Sequence, residues 1–392
     1  MTQCFTTSFG QRIPFVEGYR DSHNIRHKPG APAREWVETE ESIMREPRMT
    51  YSYFRKDLIE YLLTMDFLRS VGIEGPWKSA LDIGGREATI ARLLKATNTA
   101  GSVESIDILP FHKKLSDSLF KELLKEVFMP RRGPLRIPRR LAGMVDSKYY
   151  NWAFSQNLEF GFTPDRMFGW DVVLKNLSDP DACYVDDFMT HRFDRKFDFI
   201  VSLLTVAYFD VDELMERVAN LLLPGGIFVF LVDYWWFPVN STNIVADFPY
   251  ACQRLTRDDL LRYFDEFHPN ETSIVNEFYD THHKGKPETL ADYAETAERH
   301  SLGILGERRF VPSSETGNRT PLMPATLDHY ENSALPSVLE NIRCFRQDVQ
   351  LIDLKSAFVM AAFRKREERK PDLSERIREL PAIHYGKYHK KT

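Results

Sequence analysis

The chain has no CxxC pair. Its four cysteines, Cys4, Cys183, Cys252 and Cys344, stand far apart in 392 residues, which suggests neither a zinc site nor a disulfide framework and leaves reduced thiols as the default. No run approaches the ~20 apolar residues that a membrane-spanning helix needs. The first residues, MTQCFTTSFGQR, lack a basic segment followed by an apolar one, so a soluble, cytoplasmic protein without a transmembrane segment is expected. Positive charge is not in excess either: 52 Lys and Arg face 57 Asp and Glu, a formal net charge of -5. That balance gives no general footprint for nucleic acid, and no nucleic-acid partner is expected. Carboxylates clustered with Asn as a metal would require are missing too, so no metal is expected.

What is there is a core. With 43% hydrophobic and 13% aromatic residues the composition is globular, as one elaborated domain or two. The most informative stretch is LDIGGREATIARLL, from Leu81 to Leu94. An apolar run stops at Asp82, two glycines follow, and apolar residues then recur at helical spacing, which predicts a strand, a tight turn and a helix start. Such a junction can hold a nucleotide-like ligand, because Gly admits close backbone approach and the helix N-terminus offers free N–H groups. SVESIDIL, Ser102 to Leu109, reads as a second strand, with Asp107 placed 25 residues after Asp82. A carboxylate at the end of a second strand is the group that hydrogen-bonds ribose hydroxyls in dinucleotide-type folds.

Ahead of this unit, Tyr53 to Val71 has the spacing of an amphipathic helix. Behind it the alternation of strands and helices breaks off over 111–181, too long for a crossover. This insertion opens on an amphipathic helix and continues into MPRRGPLRIPRR, whose Arg131, Arg132, Arg136, Arg139 and Arg140 read either as a solvated loop or as a contact for an anionic ligand or a membrane surface. The alternation resumes with strand-like ACYVDDF and FDFIVSLL. A helix follows at DVDELMERVANLLL, with Asp210 or Asp212 as its cap, and then a Pro-Gly-Gly turn into the apolar strand GIFVFLV. Apolar strands separated by helices imply a parallel sheet covered on both faces. TRDDLLRYFDEF is a further capped helix, and Val349 to Lys365 reads as closing strands.

In this order the pieces resemble the class I S-adenosylmethionine-dependent methyltransferases. The resemblance covers roughly Trp77 to Trp236 and the final strands. It implies a Rossmann-like α/β fold with a doubly wound, mostly parallel sheet. The parts are then an N-terminal arm and helix over 1–75, a cofactor-binding core over 76–236 with the insertion 111–181, a substrate cap over 237–345, closing strands over 346–366 and a charged tail over 367–392. It also implies S-adenosylmethionine as cofactor. Asp82, Gly84, Gly85 and Arg86 match the family's first motif, Asp107 with Ile108 the ribose-holding acid, Asp187 and Phe188 the adenine contacts, and Ser202 the fourth-strand motif. The family usually carries glycine at every second position from Gly84; here those positions hold Arg86 and Ala88.

The reaction so implied is a direct displacement onto a small metabolite or natural-product-like acceptor, with a general base where the acceptor carries a proton. Tyr208, after the fourth strand, and His282 and His283, in the expected cap, are the candidate catalytic residues. Tyr234, Trp235 and Trp236 follow the fifth strand and are candidates for lining the acceptor pocket, or for packing the cap on the core. A lipid or lipid-linked saccharide acceptor at a membrane surface and a non-catalytic binding protein on the same scaffold stay open as alternatives, as does the oligomeric state. A nicotinamide oxidoreductase shares the strand, turn and acid but is disfavoured by the missing GxGxxG.

Overall fold

The computed structural model describes residues 3–20, 47–110, 112, 176, 178–234, 236, 244–281, 288–312, 335–366, 378–379 and 383–385. Most of the insertion, with its five arginines, and His282, His283 and Trp235 lie outside the described residues.

The sheet is built from β3 (Trp77–Ile83), β4 (Ala100–Asp107), β5 (Ala182–Val185), β6 (Phe197–Leu203), β7 (Leu222–Asp233), β8 (Leu302–Pro312) and β9 (Phe358–Lys365). Their spatial order is β8-β9-β7-β6-β3-β4-β5, and the short β10 (Arg378–Glu379) and β11 (Ile383–Tyr385) both pair with β8. The pairs from β5 to β7 are parallel, and β9 runs antiparallel between β7 and β8. This is the doubly wound, mostly parallel α/β sheet that the apolar strands predict.

Successive side chains point to opposite faces, so each central strand feeds two cores. Ile227, Val229 and Leu231 of β7 enter one cluster, while Phe228, Phe230 and Val232 enter the other. On the first face lie α1 (Pro47–Ser70) and α2 (Thr89–Ala96). The opposite face is covered by α3 (Val211–Leu221), α4 (Ala251–Arg254), α5 (Arg257–Phe267), α6 (Thr272–Thr281), α7 (Leu290–Arg299) and α8 (Leu335–Arg343). Each fully buried Leu, Ile or Phe contributes about 1.5–3 kcal/mol of transfer free energy, so double coverage is what makes the apolar strands tenable. Asp210 caps α3, accepting from the N–H groups of Asp212 and Glu213, and Thr256 caps α5.

Three expectations need correcting. The expected N-terminal arm is partly built into the core: β1 (Cys4–Thr6) and β2 (Arg12–Pro14) form a hairpin whose Phe5 and Ile13 are buried there, and whose Ser8 N–H donates to Asp259 of α5 at 2.9 Å. The stretch read as cap contains β8, a strand of the main sheet. Charge hides it in the sequence, yet Arg308 pairs with Asp66 at 2.6 Å and Arg309 with Asp353 at 2.6 Å, which is how such groups are tolerated on a buried strand. Finally, the stretch read as closing strands begins as a helix, α9 (Leu351–Lys355), opened by a capping box between Gln350 and Asp353; only Phe358–Lys365 is strand.

Candidate functional site

The strand order reverses between β3 and β6, since the chain runs outward from β3 to β4 and β5 and then returns to β6 and β7. In open α/β sheets ligands bind outside the carboxyl ends of the strands at such a switch point. The glycine turn stands there. Gly84 has φ +69° and packs so closely on the β6 loop that a Cβ would fall 2.1 Å from the Thr205 methyl carbon. A Cβ on Gly85 would fall 2.2 Å from the Ser105 hydroxyl oxygen and 2.4 Å from Asp82 Oδ2. Neither position admits a side chain without displacing its neighbours.

Arg86 and Ala88 resolve the departure from the family pattern in an unexpected way. Both adopt the left-handed region, with φ +46° and +56°, at a cost of about 1–2 kcal/mol each for an L-residue. The three alternate positions 84, 86 and 88 thus keep the conformation that glycine would take, although only one of them is glycine. The N–H of Arg86 donates to Asp107 Oδ2 at 3.0 Å, and that of Leu109 to Asp107 Oδ1 at 3.0 Å. The turn and the acid at the end of β4 are therefore one unit. The Arg86 guanidinium lies beside the buried Glu87, Nε to Oε2 3.8 Å.

Apolar groups open to solvent gather on the same edge. Ile108 is 69% exposed, Tyr208 49% and Val185 48%, following β4, following β6 and ending β5. Buried polar atoms underlie the turn: Asp82 Oδ2 and Thr89 Oγ1 have no hydrogen-bond partner among the described residues. Asp82 is pushed up to about 8, chiefly by burial and next by the charge of Asp57 on α1.

The other expected residues divide. Ser202 is fully buried and meets Thr205 Oγ1 at 2.6 Å, while Thr205 donates to the carbonyl of Ile83 at 3.1 Å, so this pair braces the turn from behind. Asp187 is exposed, and its carboxylate accepts from its own Met189 N–H at 2.9 Å. Phe188 beside it is 3% exposed, with its ring packed on Phe193 and Phe209. Tyr234 and Trp236 are likewise core residues, 1% and 0% exposed. The Tyr234 hydroxyl donates to Asp353 at 2.8 Å and accepts from the Leu290 N–H, and the Trp236 indole donates to the carbonyl of Glu288 at 3.2 Å. Packing accounts for both.

Two further features come from residues distant in sequence. Beside Asp107, the Asp186 N–H donates to its carbonyl, and the Asp186 carboxylate accepts from His191 Nδ1 at 2.9 Å, which holds it below the usual carboxylate range. Glu288 is pushed up to about 7, by burial first and then by Asp292. Beyond Asp292, four residues on, its field comes from Arg346 and from Asp210 at the cap of α3, both distant in sequence.

No protein-family model matches the chain, and no curated protein matches it. Solved structures do. A phosphoethanolamine N-methyltransferase of Haemonchus contortus is 12% identical, covering 94% of this chain and 68% of its own, with TM-score 0.39. A geranyl diphosphate C-methyltransferase of Streptomyces coelicolor is 14% identical, covering 90% and 89%, with TM-score 0.33. An N-methyltransferase of Bradyrhizobium japonicum is 12% identical, covering 80% and 97%, with TM-score 0.32. At such values these likenesses assign no substrate and no residue. The class that the fold and site define is an open, doubly wound α/β protein with a glycine turn and a strand-end acid joined at its switch point.

Proposed function

We propose that the chain is an S-adenosylmethionine-dependent methyltransferase that acts on a small metabolite or natural-product-like acceptor by direct displacement. The observation that carries this reading is the unit formed by the left-handed turn at 84, 86 and 88 and the Asp107 carboxylate that it orients. The residues suit the group: a carboxylate at the end of β4 for a diol, exposed Ile108 for a flat ring, and a helix start under a tight turn for the zwitterionic end. When bound, S-adenosylmethionine supplies an electrophilic methyl group.

The chain's part is placement. Asp107 would fix the ribose, the turn from Gly84 to Ala88 the methionine end, and the crevice would exclude water while holding the acceptor in line, which contributes ~7–11 kcal/mol in well-aligned cases. Where the acceptor carries a proton, Tyr208, His282 and His283 are the proposed bases; a thioether or an anionic oxygen needs none.

Calorimetric titration with S-adenosylmethionine, S-adenosylhomocysteine and NADH tests the reading. Micromolar binding of the first two and none of NADH is expected. NADH binding alone would move the chain to the oxidoreductases.

A further inference from the structure

Strand β5 gives its edge of the switch point little support. It is four residues long, pairs only with β4 among the described residues, and none of its side chains is fully buried. The turn that follows it, 186–193, carries Asp187 and is tied in at its start, where the Asp186 N–H donates to the carbonyl of Asp107 at 3.0 Å. Its far side is held from α3. Arg217 donates through Nε to the carbonyl of Phe188 at 3.3 Å and through a terminal nitrogen to the carbonyl of His191. The same guanidinium lies over the rings of Phe188 and Phe193, 5.7 and 5.9 Å from their centroids. It pairs with no carboxylate among the described residues, and burial lowers its pKa. An apolar side chain would pack there without that cost. What arginine alone supplies is a rigid fork that bonds two carbonyls at once.

We propose that Arg217 is a positioning residue for ligand recognition: by clamping two carbonyls of the 186–193 turn, it fixes the Asp187 carboxylate and the Phe188 N–H as a pair that reads the base of the cofactor. This rests on the reading of the crevice given above. Phe188 is fastened by its buried ring and by its carbonyl on Arg217, and its N–H makes no hydrogen bond among the described residues. The neighbouring Asp187 carboxylate bonds the Met189 N–H through Oδ1, and its Oδ2 has no partner among the described residues. An acceptor beside a donor matches the edge of adenine, whose exocyclic amine donates and whose ring N1 accepts. Hypoxanthine reverses both groups, so a turn held in one geometry rejects it, whereas a loose turn adapts to either.

The test is calorimetry on the full chain with S-adenosylhomocysteine and its deaminated analogue S-inosylhomocysteine. The parent should bind the first at least about tenfold more tightly, since the second leaves polar groups unpaired. Arg217→Met removes the fork, and Arg217→Lys keeps the charge as a single point that cannot span both carbonyls. In both variants the ratio should fall below about threefold, the adenine ligand losing most of its advantage. A role confined to holding the fold together would weaken both ligands alike and keep the ratio. Should Arg217→Met fail to melt cooperatively in urea, Arg217→Lys decides. A parent ratio near unity, or a variant ratio that stays at the parent's value, overturns the proposal while the crevice keeps its cofactor. If S-adenosylhomocysteine does not bind the parent, the reading of the crevice falls, and this proposal with it.

Discussion

At the scale of single residues, the site depends on two contacts that leave no room for substitution. Gly85 sits against Ser105 and Asp82 at distances a Cβ cannot share. Gly85→Ala should lower stability by about 1–3 kcal/mol and weaken S-adenosylmethionine binding at least tenfold, as read by urea melts and calorimetry; an unchanged affinity would mean the turn is not part of the site. Asp107→Ala removes the acceptor of two backbone N–H groups. It should abolish measurable binding while the protein still melts cooperatively, about 1–3 kcal/mol less stable. Gly84, Gly85 and Asp107 were legible in the sequence because spacing alone betrays a strand, a turn and a distal acid. Phe188 and Tyr234 show what spacing leaves open: an aromatic residue at a strand end reads the same whether it faces ligand or core, and both rings are buried.

At the scale of elements, the strands and helices that feed both cores were legible, since fully apolar strands and capped helices declare themselves locally. The misread pieces are those whose polarity is settled by partners far away in the chain. Strand β8 carries Glu307, Arg308 and Arg309 in succession, and only Asp66 and Asp353, brought in by α1 and α9, make it fit for a sheet. The same logic governs Tyr234, whose hydroxyl ties the end of β7 to α7 through Leu290 and to α9 through Asp353. Tyr234→Phe leaves the Leu290 N–H buried without its acceptor. A loss of about 1–3 kcal/mol is expected in urea unfolding, and a change within 0.5 kcal/mol would show that the tie contributes nothing.

At the scale of the whole molecule, the buried acids tie stability to pH. Asp82 titrates at about 8 in the folded protein against 3.8 as the ordinary value, so between these values the folded state holds a proton that the unfolded chain has lost. The Asp82 contribution to stability is therefore fully present below about pH 4, falls as pH rises toward 8, and is level above it, with a slope of at most about 1.4 kcal/mol per unit. Glu288, pushed from 4.5 to about 7, acts in the same direction. Asp82→Asn should remove its share, so that the difference between variant and parent grows with pH; a parallel pair of stability curves would contradict this. No described helix is long and apolar enough to cross a membrane. The central claim is that the switch-point turn and Asp107 together hold S-adenosylmethionine. The most direct measurement is one titration of that ligand into the parent protein and into Asp107→Ala: micromolar affinity in the first and none in the second is the predicted result, and silence in the parent, or equal binding in both, would contradict it.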